Sequence, residues 1–202
     1  MARRNQRPMD AILAAGIGVW VMLPALIPNS AAVLFGGGTP MDFGRSWRGK
    51  RIFGDGKTWR GFFGGAVFGI LIGMVQLLLA LSFPANVWWP DAPVNYGFGA
   101  MPEAAGVVVL LAIGGLLGDM GGAFLKRRMG YERGAAVFGL DQYDFVLGAL
   151  LLNLIVFPDW FLNTFAYGLG IVSLLTVLIV VPLLHRLFNI IGYKAGLKKE
   201  PW

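Results

Sequence analysis

The feature that most constrains this chain is a series of apolar segments long enough to cross a lipid bilayer. A helix needs roughly 20 apolar residues to span a hydrocarbon core of about 30 Å. Five segments approach or exceed this length: 10–35, 61–83, 103–125, 143–161 and 164–189. Only 14% of the residues are charged, against about 25% in soluble domains. We therefore predict an all-α integral membrane protein, with one domain over residues 1–202 and five transmembrane helices.

Basic residues lie mainly on one of the two sides that five spans would define. The side shared by segments 36–61, 125–144 and the C-terminal tail carries fourteen of the seventeen Lys and Arg residues. The other side has only Arg3, Arg4 and Arg7, and it supplies four aromatic residues typical of a membrane interface, namely Trp88, Trp89, Tyr96 and Trp160. The positive-inside rule then predicts cytoplasmic loops that form a polar site, a cytoplasmic C-terminus and an N-terminus outside.

Glycines recur at every fourth position in two of the predicted spans. The second span has Gly61, Gly65, Gly69 and Gly73, and the third has Gly114, Gly118 and Gly122. Stripes of small residues let helix backbones approach closely in a membrane. We interpret both stripes as packing surfaces. No internal repeat is visible, so the sequence gives no support to an inverted-repeat transporter.

Three carboxylates and a basic run lie near the same predicted membrane surface. Asp119 is close to the end of the third span, and Lys126 returns to nearly the same helix face seven residues later. Asp141 and Asp144 stand three residues apart at the start of the fourth span. Carboxylates at this density suit Mg²⁺, which commonly shares its coordination with substrate phosphates. Structural alternatives are an ion pair of Asp119 with Lys126 or Arg127, and a helix cap for Asp141.

The segment before the second span is rich in glycine and basic residues. Its GDGKT stretch is not a Walker A loop, because Arg51 stands where the first glycine belongs and no parallel sheet is expected. Thr58 can instead cap the second span, whose N-terminus would favour phosphate, with Lys57 and Arg60 alongside. Asn29, at the end of the first span, offers an amide to the same site or to the backbone. These features predict a polyphosphate site at the level of the lipid headgroups.

Two long patterns in these regions resemble the archaeal CDP-archaeol synthases, which are related to CDP-diacylglycerol synthases. The patterns are PNSAAVLFGGGTPMDFGRSWRGKRIFGDGKTWRGFFGG, residues 28–65, and GDMGGAFLKRRMGYERGAAVFGLDQYDFVLGAL, residues 118–150. In the second pattern Gln142 replaces the arginine of the bacterial-type signature, and Ala123 replaces its serine. The resemblance implies transfer of a cytidylyl group from CTP to an unsaturated ether-lipid phosphate, 2,3-bis-O-geranylgeranylglycerol 1-phosphate, with Mg²⁺ as cofactor.

On this resemblance we assign roles to residues of both patterns. The catalytic candidates are Asp119, Lys126, Asp141 and Asp144, and the three aspartates are the candidate Mg²⁺ ligands. The candidate contacts to CTP and the lipid phosphate are Asn29, Asp42, Phe43, Gly44, Arg45, Asp55, Lys57, Thr58, Arg60, Lys126 and Arg127.

Two other functions remain open at this point. One is a small transporter that uses Asp119 as an intramembrane coupling group. The other is a CDP-diacylglycerol synthase acting on ester phosphatidate. The expected partners are CTP, the prenylated glycerol phosphate and the bilayer. Nucleic acid is not expected, because the basic residues are spread along a membrane surface. The sequence carries no signal for an oligomeric state.

Overall fold

A computed structural model of the protein describes residues 8–84, 92–132 and 134–197. In this part of the chain the secondary structure is nearly all helical, with one two-stranded hairpin between the first two helices. The helices are α1 (Pro8–Leu34), α2 (Trp59–Ser82), α3 (Glu103–Met129), α4 (Leu140–Val156), α5 (Pro158–Phe165) and α6 (Gly170–Lys194). The hairpin consists of β1 (Ser46–Trp47) and β2 (Lys50–Arg51).

Four helices of the described residues are long and apolar enough to cross a membrane. They are Asp10–Leu34, Trp59–Ser82, Glu103–Met129 and Gly170–Lys194. The chain is therefore an all-helical, multi-pass membrane protein, and these four spans agree with four of the five predicted segments. The last one begins six residues later than predicted, because Phe165 belongs to α5 and a turn precedes Gly170. α3 continues to Met129 and so carries Lys126 to Arg128 in its last turn.

The predicted fourth span, 143–161, is not one continuous helix. α4 ends at Val156, Phe157 has φ −125° and ψ 63°, and Pro158 begins α5. A proline favours the first position of a new helix, since it lacks the N–H that the preceding helix would need. α4 nevertheless runs antiparallel along much of α3, from Asp144 beside Gly122 to Phe157 beside Gly106. The count of five transmembrane helices stays a prediction.

Both glycine stripes lie at helix contacts, as predicted. A Cβ added at Gly65 or Gly69 would come within 2.8 Å of a backbone carbonyl of α1, that of Pro28 or Pro24. Pro28 lacks the N–H that would bond the carbonyl of Pro24 inside α1, so this carbonyl is free to approach α2. The glycines of α3 contact α4 in the same way. A Cβ added at Gly118 would lie 2.1 Å from the carbonyl oxygen of Asp144. The glycines thus hold α2 against α1 and α4 against α3.

The aromatic residues predicted at the interface have different positions. Trp160 is 5% exposed, and its Nε1–H donates to the carbonyl of Gly97 at 2.9 Å, so its assignment to the membrane interface is corrected: it belongs to the core. Tyr96 donates from its hydroxyl to the carbonyl of Phe83 at 2.5 Å. Trp88 and Trp89 lie outside the described residues, as do Arg3, Arg4, Arg7, Arg133, Lys198 and Lys199.

Candidate active site

Among the cavities of the described part of the protein, two lie at opposite ends of the helix bundle. The larger, about 790 Å³, lies near the start of α1 and is lined by Asp10, Glu103 and Asp159, with no Lys or Arg among its described lining residues. The smaller, about 310 Å³, lies between the end of α1, the start of α2 and the third helix. Like charges repel, so the acidic cavity is a poor host for a polyphosphate despite its size. The smaller cavity is the candidate active site.

The start of α2 forms one wall of this site. The hydroxyl oxygen of Thr58 accepts a hydrogen bond from the amide of Gly61 at 3.1 Å, which confirms the predicted cap. The amide of Met41 donates to the carbonyl of Lys57 at 2.8 Å, and the amide of Trp59 donates to the carbonyl of Thr39 at 3.2 Å. These bonds fix the backbone on both sides of the cap and place Lys57 and Thr58 in the cavity lining.

Lys57 forms an ion pair with Asp119 across the cavity, between the loop before α2 and helix α3. The side chain of Lys57 is 27% exposed and that of Asp119 is 29% exposed, so the pair is open to the cavity. The structural alternative of an ion pair between Asp119 and Lys126 or Arg127 is not what the structure shows. A cation and a carboxylate therefore face each other in a cavity that also contains the cap of α2.

The two acids of α4 both face α3, one helical turn apart. An oxygen of the Asp144 carboxylate lies 2.1 Å from the position of a Cβ on Gly122, which is three residues beyond Asp119. Asp141 pairs with Lys126 at 2.7 Å, with both side chains 16% exposed, and it accepts from the amide of Val137 at 2.9 Å. Asp144 thus lies beside the turn that carries Asp119, whereas Asp141 is held by Lys126.

The described residues contain no group of three His, Cys, Asp or Glu side chains arranged to hold a metal ion. The predicted set of Asp119, Asp141 and Asp144 is therefore not gathered into one cage here. Mg²⁺ usually keeps several waters and takes one or two carboxylates together with substrate phosphates. By donor chemistry, Asp119 and Asp144 fit that smaller requirement.

Asp42 organises the loop that precedes the site. Its carboxylate accepts from the amides of Gly44, Phe53 and Gly54 at 2.9 to 3.0 Å and from the guanidinium of Arg51 at 2.7 and 3.2 Å. A predicted contact of Asp42 with substrate would require breaking some of these bonds.

The neighbours of Asp42 in the predicted binding set are more open. Phe43, Gly44 and Arg45 are exposed, and the ring of Phe43 lies 6.2 Å from that of Trp59. Asp55 pairs with Arg51 at 2.7 Å and also lines the cavity.

We expect this loop to lose its order in acid. Burial of Asp42 opposes its ionisation, but the Arg51 guanidinium and three backbone amides outweigh burial and hold its pKa well below the usual range. A depressed pKa stabilises the fold above the ordinary value of about 3.9, and this stabilisation is lost as the pH falls towards the folded-state value. Exchange of the Gly44, Phe53 and Gly54 amides, corrected for intrinsic rate, should therefore accelerate progressively below about pH 4.

Asp42→Asn provides the comparison for this experiment. In the variant, the same three amides should already exchange quickly at pH 7. Their exchange rates, corrected for intrinsic rate, should not change between pH 6 and pH 3. Equal protection of the loop in the variant and the parent chain at pH 7 would contradict the role given to Asp42.

Of three further candidates, Asn29 lines the cavity, whereas Arg60 and Arg127 are not among its lining residues. The Oδ1 atom of Asn29 is buried without a hydrogen-bond partner in the described structure, and Asn29 lines the cavity. Arg60 is exposed and packs along Gly38. Arg127 donates to the carbonyl of Tyr131 and lies near Gly54, with its Nε buried and without a described partner. Asn29 and Arg127 thus have unused hydrogen-bonding capacity near the site.

Sequence reasoning missed Arg128. This residue donates to the backbone carbonyls of Trp47, Lys50 and Arg51 in the hairpin. In the sequence it is one of three consecutive basic residues, and only the long-range contact with the hairpin distinguishes it from Lys126 and Arg127.

The sequence matches one protein family over almost its whole length. The family model described as CarS-like, CDP-archaeol synthase, matches residues 9–202. The chain belongs to this family. A CDP-archaeol synthase of Methanospirillum hungatei is 52% identical over 90% of this chain and 100% of its own length. Another, of Halorubrum lacusprofundi, is 48% identical over 91% of this chain and 94% of its own length.

A solved structure, of an intramembrane enzyme for archaeal membrane lipids biosynthesis, is also similar. It is 33% identical, covers 85% of this chain and 93% of its own, and has a TM-score of 0.53. The two sequence patterns that resemble the family meet in space. The first, 28–65, forms the end of α1, the loop and the start of α2, and the second, 118–150, forms the end of α3 and the start of α4. Their contact through Lys57 and Asp119 is at the candidate site.

Proposed function

We propose that this chain is a nucleotidyltransferase that transfers the cytidylyl group of CTP to 2,3-bis-O-geranylgeranylglycerol 1-phosphate, giving CDP-archaeol and pyrophosphate. The single observation that carries the proposal is the cavity in which Lys57 and the Thr58 cap face Asp119. It offers a cation and a helix N-terminus for phosphates and a carboxylate for a metal. The names of the curated relatives support the same reaction and favour an enzyme over the transporter.

The reaction needs alignment more than activation of a nucleophile. A lipid phosphate oxygen forms a bond to the α-phosphorus of CTP, and the bond from that phosphorus to the pyrophosphate oxygen breaks. Because the attacking oxygen is already anionic, the protein must position it and offset negative charge on the leaving group. We assign stabilisation of the charged leaving group to Lys57, Thr58, Arg60 and Arg127. We assign the side-chain amide of Asn29 to a contact with the nucleotide.

The proposed cofactor is Mg²⁺. It supplies neutralisation of phosphate charge and a template that orients the two substrates. We assign Asp119 and Asp144 as its protein ligands, since they lie by the same turn of α3. Asp141 would support the metal site indirectly, because Lys126 holds its carboxylate at 2.7 Å.

We infer that the site end of the bundle is cytoplasmic. The basic residues of the hairpin, the loop before α2 and the end of α3 all lie at this end, as the positive-inside rule requires of a cytoplasmic surface. We also propose α4 as a fifth transmembrane helix, because it runs beside α3 between Gly122 and Gly106. This topology leaves the N-terminus outside and the C-terminus in the cytoplasm.

The test is incorporation of label from α-³²P-CTP into lipid by the protein purified in detergent. With Mg²⁺ and the geranylgeranylglycerol phosphate, labelled lipid should accumulate, and EDTA should abolish the reaction. Ester phosphatidate of similar chain length is assayed in parallel, and we expect the ether lipid to be preferred. Preferential use of the ester lipid would indicate a CDP-diacylglycerol synthase instead. No incorporation together with no CTP binding by calorimetry would overturn the proposal.

A further inference from the structure

The hairpin between α1 and α2 is fastened to the last turn of α3 by one side chain. Arg128 donates to the carbonyl of Trp47, to that of Lys50 at 2.9 Å and to that of Arg51 at 2.6 Å. The ammonium of Lys50 donates in return to the carbonyl of Arg128 at 3.3 Å. A planar guanidinium with several N–H donors can bond three carbonyls of a tight turn at once, which an ammonium cannot do with the same geometry.

Aromatic rings complete this attachment. The rings of Trp47 and Phe124 stack with centroids 5.8 Å apart and 15° between their planes. The guanidinium carbon of Arg128 lies 5.2 Å from each of the two ring centroids, within the range of cation–π attraction. We call Arg128, Trp47 and Phe124 the latch.

A continuous series of contacts leads from the latch to the candidate site. Arg51, whose carbonyl Arg128 holds, binds Asp42 and Asp55 through its guanidinium. Asp42 accepts from the amide of Gly54, and the carbonyl of Gly54 accepts from the amide of Lys57 at 3.3 Å. Lys57 in turn pairs with Asp119 on α3. The loop between the hairpin and α2 is therefore fixed at both ends to the same helix.

We propose that Arg128 is a positioning residue for the nucleotide: it binds no substrate, but holds the loop that presents Lys57 and Thr58 to CTP. This inference rests on the proposed function, and it assigns to Arg128 a role different from the phosphate contacts of its neighbours. Loss of the latch should leave the helix bundle folded, because the helices pack through glycines and apolar side chains elsewhere. It should free the hairpin and weaken CTP binding.

The first test uses trypsin on the folded protein in detergent, with cleavage after Lys50 and Arg51 as the readout. Arg128→Ala should speed this cleavage at least about tenfold, because the open form of the loop becomes more populated. Arg128→Lys should be nearly as labile, since it keeps the charge but not the three hydrogen bonds. Arg48→Ala is the matched control: Arg48 lies 5.1 Å from the same Trp47 ring but is exposed, and we expect no change.

The second test separates positioning from a merely structural role by kinetics. Arg128→Ala should raise the KM for CTP at least about tenfold, with the KM for the lipid within about twofold of the parent value. If Arg128→Ala does not fold, Trp47→Leu should change both readouts in the same direction, because it removes the ring stack and the cation–π contact but keeps the backbone carbonyl that Arg128 binds.

Two results would contradict the positioning role proposed for Arg128. One is a protected hairpin with an unchanged KM for CTP in Arg128→Ala, or in Trp47→Leu where the former does not fold. The other is a rate of trypsin cleavage and a KM for CTP in Arg128→Lys that equal those of the parent chain, which would show that charge alone matters. Failure of the proposed function is distinguishable, because the parent chain would then not turn over CTP, while the trypsin experiment would still decide whether the hairpin is latched.

Discussion

Asp119→Asn should lower the rate of cytidylyl transfer by about 10³-fold. The change keeps the shape of the side chain but removes the negative charge that faces Lys57 in the cavity. An amide is a weaker ligand for Mg²⁺ than a carboxylate, and Lys57 would lose its ion-pair partner. We therefore expect the Mg²⁺ concentration for half-maximal rate to rise at least about tenfold as well. The measurement is a Mg²⁺ titration of initial rates with CTP and lipid at saturation.

The control for this experiment is Asp159→Asn at the opposite end of the bundle. Asp159 lines the larger, acidic cavity, so the same chemical change is made far from the site. Its rate and Mg²⁺ dependence should equal those of the parent chain. If Asp119→Asn lowered only the yield of folded protein and left the Mg²⁺ dependence of the folded fraction unchanged, the ion pair would be structural and the metal assignment would fail.

Gly118→Ala should separate α4 from α3 and inactivate the enzyme. The added Cβ would lie 2.1 Å from the carbonyl oxygen of Asp144, and neither backbone can move without shifting its whole helix. Overpacking of this kind costs about 1–3 kcal/mol or more in a well-packed interior. The displaced residue, Asp144, is a proposed metal ligand. We therefore expect the rate of transfer to fall by more than the loss of unfolding free energy alone would explain. Thermal unfolding in detergent and the rate of transfer measure the two effects.

Gly121→Ala is the matched control, three residues further along the same helix. Apart from Gly121, its chain neighbours and the adjoining backbone of α3, no atom lies within 4 Å of a Cβ at Gly121, and alanine is the better helix former. This variant should be as active as the parent chain and at least as stable. Similar losses in both variants would show that α3 needs glycine for a reason other than contact with α4.

Local patterns of the sequence predicted much of this fold. The cap at Thr58 and the glycine contacts of α2 and α3 each depend on residues a few positions apart, where helix geometry determines which atoms meet. The break of the fourth span at Phe157 was harder to predict, because both flanking segments are apolar. Only the proline at position 158 indicates it.

The contacts within the site were less predictable. Lys57 pairs with Asp119 and Arg128 with the carbonyl of Trp47, across 62 and 81 residues of sequence. Charge and residue type identified Lys57 and Asp119 as candidates, but not as each other's partners. The same reasoning assigned Asp42 a contact with substrate, which stays a prediction, but it did not predict the five hydrogen bonds by which Asp42 holds the loop together. Such pairings depend on how the helices pack, which residue spacing does not determine.

The ion pair of Lys57 and Asp119 has a consequence for the selectivity of the cavity. A free phosphate ion must compete with Asp119 for Lys57. A free Mg²⁺ ion must compete with Lys57 for Asp119. Each ion alone therefore gains little binding free energy. A magnesium nucleotide brings both charges together, and each new partner replaces one that is lost. On the proposed function, the cavity would therefore bind inorganic phosphate weakly and metal-bound CTP more tightly.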